Sequence, residues 1–135
     1  MKRRGFVSLT VIGAAYATGC SSDTEAPSLD SPVTLRLADY PSLSSEGGWI
    51  ELPVEVTDYT DPIFVERLGG DDFRALSAFC NHNGCSVERG GNGYECPCHG
   101  SRFAVDGSLE KGPATADLRE FGVVYDPTAD DITIG

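Results

Sequence analysis

The chain has 135 residues, 40% of them apolar, which suits one small domain with a hydrophobic core. Its formal net charge is −11, from 21 acidic and 10 basic side chains. That balance argues against nucleic acid as a partner, because such binding needs a basic surface, and fits a well-solvated acidic exterior.

The first stretch, "MKRRGFVSLTVIGAAYATGC", sets Lys2, Arg3 and Arg4 before an apolar run from Phe6 to about Ala17. This is the layout of a signal peptide, and the run is shorter than the roughly 20 residues needed to span a bilayer. "RRGFV" resembles the twin-arginine export signal, and "ATGC" resembles the lipobox of bacterial lipoproteins, with Ala17 where leucine is usual. Residues 1–19 are therefore expected to be a leader. Cys20 is then either the lipidated first residue of the mature chain or a plain residue at an ordinary cleavage site or in an uncleaved anchor. Loss of 1–19 leaves 7 basic against 21 acidic residues, a formal charge of −14. Residues 20–32 are polar and without apolar period, and read as a flexible tether reaching roughly 20 Å. A lipid on Cys20 would hold the domain on a membrane surface without a spanning helix.

Residues 33–135 read as the domain, all-β and built from short antiparallel strands. Apolar and polar residues alternate over 33–39, 49–56, 63–68 and 73–79, the period of half-buried strands. "GGDD" (69–72) and "RGGNG" (89–93) look like hairpin turns. Residues 121–126 and 131–134 flank the turn "PTAD" as a last hairpin. Only "ATADLRE" (114–120) suggests a turn of helix. No phosphate-binding glycine loop is present.

Four of the five cysteines and both histidines fall in "CNHNGC" (80–85) and "CPCHGS" (96–101). Cys80 and His82 have one residue between them, Cys96 and His99 two, and each pair is expected at the tip of a loop between strands. Two such loops can close on one metal. The residues alone allow ordinary core cysteines and histidines, a structural Cys₂His₂ zinc site, or an iron–sulfur centre. Zinc leaves Cys85 and Cys98 unexplained.

Together the two segments closely resemble the two boxes of Rieske iron–sulfur proteins, the kind found in cytochrome bc and b6f complexes. That resemblance implies a Rieske-type fold of short antiparallel sheets, with a small cluster-binding subdomain at about 78–115 formed by the two loops. It implies one [2Fe–2S] cluster, held by Cys80 and Cys96 on one iron and by His82 and His99 on the other. It implies a disulfide between Cys85 and Cys98, which an oxidising compartment would preserve. Ser101 would donate to a bridging sulfide. Phe103 stands where high-potential members carry a tyrosine, so one hydrogen bond to sulfur is expected to be missing. Gly112 and Pro113, in "GPA", resemble the third loop that covers the cluster. The likeness covers roughly residues 70–135.

The family implies electron transfer within an oxidoreductase complex, with no catalytic residue of its own and no stand-alone enzyme. The chain is expected outside the cytoplasm, on the outer face of the cytoplasmic membrane or in the periplasm. It would pass electrons from a quinol site or a partner oxidoreductase to a cytochrome-type acceptor. An alternative is the small subunit of a molybdenum oxidoreductase resembling arsenite oxidase. A ferredoxin of the aromatic-ring dioxygenase type fits less well, because those usually lack the disulfide cysteines and an export signal.

Overall fold

The computed structural model describes residues 27–81 and 84–135. The leader, Cys20 and His82 lie outside the described residues. Among the described residues, eleven strands form three antiparallel sheets. The first sheet joins β1 (Val33–Arg36), β11 (Asp131–Ile134) and β10 (Val123–Asp126), in that order. The second runs β2 (Trp49–Leu52), β3 (Ile63–Gly69), β4 (Asp72–Ser77) and β9 (Glu120–Phe121). The third is a meander of β5 (Glu88–Gly90), β6 (Gly93–Glu95), β7 (Arg102–Phe103) and β8 (Leu109–Lys111). The all-β class is as the sequence predicts.

The third sheet is an insertion. The chain leaves the second sheet after β4 and returns at β9, which pairs with β4 through Ala75↔Phe121 and Leu76↔Glu120. Everything between hangs from one pair of neighbouring strands, and both candidate loops lie in it. Its own short strands are closed by the expected turn, with Gly90 opposite Gly93.

The second sheet is the middle layer. Ile63, Val65, Ala75 and Phe121 join Leu35, Leu43, Leu52, Ile132 and Ile134 in one core. The intervening residues Phe64 and Leu76 face the other way, into a second core with Val87, Tyr94, Phe103, Leu118, Cys80 and Cys96. Residues 63–65 are therefore buried in succession, where the alternation predicted a strand with one wet face. Both faces are covered because the insertion folds back over the sheet.

Arg89 ties the inserted sheet to the middle one. Its guanidinium lies 5.2 Å from the Trp49 ring centroid and 5.1 Å from that of Tyr94. It donates to Glu66 at 3.2 Å and to the Tyr94 hydroxyl at 2.8 Å. A cation stacked between two rings and largely desolvated contributes roughly 1–2 kcal/mol.

Four local expectations change. The strand from 49 stops at Leu52, since Pro53 offers no N–H to a ladder; Val54–Thr57 form one helical turn, ended by Asp58 in the left-handed region (φ 55°). The strand from 33 ends at Arg36 and gives way to two 3₁₀ turns, Leu37–Asp39 and Pro41–Ser44. Residues 121–126 are split at Gly122, where the chain passes from the second sheet to the first; Gly122 and Gly135 exchange backbone hydrogen bonds there. Residues 114–120 form no helix: the Leu118 N–H, which a helix would give to the Ala114 carbonyl, donates to Gly107 at 2.9 Å. No helix among the described residues is long and apolar enough to cross a membrane. Before β1, the Pro27 carbonyl accepts the Tyr59 hydroxyl at 2.7 Å, and Leu29 packs on the first core.

Candidate metal centre

Residues 80–85 (loop one) and 96–101 (loop two) are closed by the same pair of backbone hydrogen bonds. In loop one the Cys80 N–H donates to the Cys85 carbonyl at 2.8 Å, and the Gly84 N–H returns to Cys80 at 3.0 Å. In loop two Cys96 donates to Ser101 and Gly100 returns to Cys96, both at 2.8 Å. The fifth residue is glycine in each, with φ of 70° and 75°. A left-handed residue at that position lets the chain turn back, and glycine adopts it without penalty. Each turn thus sets its first cysteine at the root of a closed loop.

Those two cysteines are buried and neither is in a disulfide. Their residues are only 0% and 2% exposed. The other two, Cys85 and Cys98, are joined to each other, as the resemblance implies, and the bond locks the loops side by side. The sulfurs of Cys85, Cys96 and Cys98 lie within 4.8 Å of one another. With two of the three in an S–S bond, that trio is no ligand set. It shows instead that the Cys96 thiol stands beside the disulfide. A thiolate so placed can attack the bond by exchange, and engaging it with metal removes the nucleophile. His99, on the same turn, is exposed. Loop two therefore presents a sulfur inward and an imidazole outward.

A third loop closes over the first two. Gly112 and Pro113, joined by a cis peptide bond, are exposed, and Ala114 behind them is buried. The Ala114 N–H donates to Ser101 Oγ at 3.0 Å. Ser101 is fully buried. Its oxygen is used as an acceptor there, so its hydroxyl proton can be given elsewhere. Asn81 of loop one receives the Thr115 N–H and donates its amide to Thr115 Oγ1, both at 3.3 Å. The third loop is thus bonded to loop two through Ser101 and to loop one through Asn81. Nothing in the sequence singled out Asn81, whose role depends on a partner 34 residues away.

Phe103 lies in β7 opposite Tyr94 and Leu109, 2% exposed, in the same core as Cys80 and Cys96. Tyr94, the hydroxylated ring beside it, has its own hydroxyl bonded to Arg89. Burial raises the Tyr94 pKa above its ordinary value, against the opposing pull of Arg89.

The family model for the Rieske [2Fe-2S] domain matches residues 42–122. The chain belongs to the Rieske [2Fe–2S] family. The match begins well before the motif-bearing region, so residues 42–69 are part of the family's domain although they carry no signature. The chain is 38% identical over 88 residues to the Rieske subunit of the mitochondrial cytochrome b-c1 complex of Bos taurus, covering 62% of this chain and 31% of that protein. The chain thus matches less than a third of the length of the curated relative. It is similar to the plasma membrane Rieske protein of the cyanobacterium Synechocystis PCC 6803, at 32% identity over 56% of this chain and 77% of that one, with a TM-score of 0.48. The complex of oxygenase and ferredoxin in carbazole 1,9a-dioxygenase gives 24% identity over 76% of this chain and 93% of that one, with a TM-score of 0.50; this is a likeness of fold.

The donor set fits the family's cofactor, one [2Fe–2S] cluster. Two buried thiols root matching turns that a disulfide joins, with an outward imidazole on the second turn. A buried hydroxyl with its proton to give stands at the end of loop two.

Proposed function

We propose that this protein is a one-electron carrier in which Cys80 and Cys96 hold one iron and His82 and His99 the other. The observation that carries this reading is the pair of matching turns, each rooting a buried thiol and bolted to the other by Cys85–Cys98. A cluster held there would supply one-electron chemistry, and two neutral imidazoles in place of two thiolates would make its reduction easier. Ser101, whose hydroxyl proton the Ala114 N–H does not use, would donate to the cluster and favour its reduced form. The Gly112–Ala114 loop covers the cluster on one side, and the exposed His99 marks the side open to a partner.

The tip suits docking. Residues 78–87, 96–101 and 112–116 contain no Asp, Glu, Lys or Arg, in a chain with 31 such residues. An uncharged tip can enter a partner's surface without desolvating ions. The donor is then a quinol site or a partner oxidoreductase, a molybdenum enzyme included, and the acceptor a cytochrome-type protein. The leader supports export, and Cys20 supports a lipid anchor to the outer face of the cytoplasmic membrane. The disulfide supports this reading over a dioxygenase-type ferredoxin.

The test is spectroscopic. Purified protein should contain two irons and two acid-labile sulfides, with the absorption and low-temperature paramagnetic resonance of a Rieske centre when reduced. His99→Cys should abolish that resonance. An unchanged spectrum in the variant would remove His99 from the ligand set, and bound zinc in place of iron would overturn the reading as a whole.

A further inference from the structure

Asp61 lies in the connection between the helical turn Val54–Thr57 and β3. It is 6% exposed. The Ser86 hydroxyl donates to one of its oxygens and the Thr60 hydroxyl to the other. Both oxygens act as acceptors, which is the bonding pattern of the carboxylate form. Asp61 is thus a buried carboxylate that accepts from two hydroxyls.

Its placement gives it reach. Ser86 follows Cys85 directly and forms a β-bridge with Phe79, the residue before Cys80. Val87 donates to Ala78 at 2.7 Å, and Ala78 donates to Pro62, next to Asp61, at 2.9 Å. These bonds form the neck of loop one. The carboxylate therefore grips that neck at the residue between the disulfide and the strand. The sulfur of Cys85 is in turn within 4.8 Å of Cys96 Sγ. Few residues separate the buried charge from the metal centre, and Ser86 and Cys85 between them are half-buried, so the charge is screened less than one in open solvent.

We infer that Asp61 is a positioning residue that holds loop one through Ser86 and whose charge lowers the reduction potential of the centre. A fixed negative charge disfavours an added electron. The inference rests on the ligand assignment proposed above. Its test begins only with variants that show full iron content and an unaltered paramagnetic resonance spectrum, so failure of the ligand assignment would appear separately, in His99→Cys.

Asp61→Asn keeps an oxygen to accept from Ser86 and removes the charge. Ser86→Ala keeps the charge and removes the bond. Protein-film voltammetry should show a rise in potential for Asp61→Asn, with electron affinity increased about threefold, which is about 28 mV at 59 mV per decade. Ser86→Ala should leave the potential unchanged or lower it. In cluster-free protein, amide exchange at Cys80 and Val87 should be faster in Ser86→Ala than in the unaltered chain, and nearly unchanged in Asp61→Asn. An unchanged potential in cluster-loaded Asp61→Asn overturns the inference. So does an equal rise in both variants, which would report a loosened loop and not a charge. If Asp61→Asn does not fold, Ser86→Ala decides: a rise in its potential overturns the inference, and a fall or no change together with faster exchange supports it.

Discussion

Loops one and two share a backbone and divide the chemistry differently. Each begins with cysteine and has a left-handed glycine fifth, and the two hydrogen bonds match. The third residue is His82 in loop one and Cys98 in loop two; the sixth is Cys85 in loop one and Ser101 in loop two. The turn fixes only the first and fifth positions, by sulfur placement and by backbone conformation. The remaining positions are open, and the two loops fill them with imidazole, disulfide sulfur and hydroxyl in different order. A disulfide between unlike positions, sixth to third, then sets the loops against each other with a stagger.

The disulfide is the feature whose loss should change that arrangement most. The Cys85→Ser/Cys98→Ser variant should still assemble a cluster. It gives up a cross-link closing a loop of about 14 residues, worth roughly 3 kcal/mol. In a domain of this size that lowers the melting temperature by about 10 °C or more. A melt followed by cluster absorbance and by circular dichroism checks it. An unshifted melt would mean that the third loop's bonds to Asn81 and Ser101 alone keep the two turns in place.

The two glycines sharpen the likeness of the turns. Alanine at either must adopt the left-handed region, at a cost of about 1–2 kcal/mol. A Cβ on Gly100 would meet nothing within 4 Å, whereas one on Gly84 would lie 3.3 Å from the Phe79 ring. Gly84→Ala should therefore be the more costly by some tenths of a kcal/mol up to about 1 kcal/mol. Equal melting points for the two variants would show that the Phe79 ring yields freely, and that only the backbone distinguishes these sites.

The loops were legible because ligand chemistry leaves its mark locally. Cysteine and histidine at spacings of two and three residues can be read without knowing the fold, and alternation marked most strands. What escaped the sequence depends on what arrives from elsewhere. Alternation at Ile63, Phe64 and Val65 directs side chains to opposite faces, but not whether the second face meets water; the insertion decides that. Segment 114–120 has the composition of a helical turn, yet Leu118 gives its N–H to the Gly107 carbonyl, 11 residues away, and not to Ala114. Asp61, Asn81 and Arg89 look like ordinary surface polar residues until Ser86, Thr115, Trp49 and Glu66 are brought beside them.

The smallest expected effect bears on Phe103, where loop two passes into β7. A tyrosine hydroxyl there would have to be accommodated inside the second core, among residues that include Cys80 and Cys96. A hydroxyl buried without a partner costs roughly 1–3 kcal/mol. If it meets a ligand sulfur, it is satisfied, and the bond strengthens as negative charge accumulates on reduction. Phe103→Tyr should then raise the potential. A bond to a charged acceptor contributes about 1.5–3 kcal/mol at most. Only the difference between the two redox states counts, and about 1.4 kcal/mol corresponds to roughly 59 mV for one electron. The expected rise is some tens of millivolts, with the melting temperature kept. The opposite pair of results, an unchanged potential and a melt lowered by several degrees, would mean that the ring edge at 103 points into the core. Loop two would then tune the centre through Ser101 and not through the residue two places beyond it.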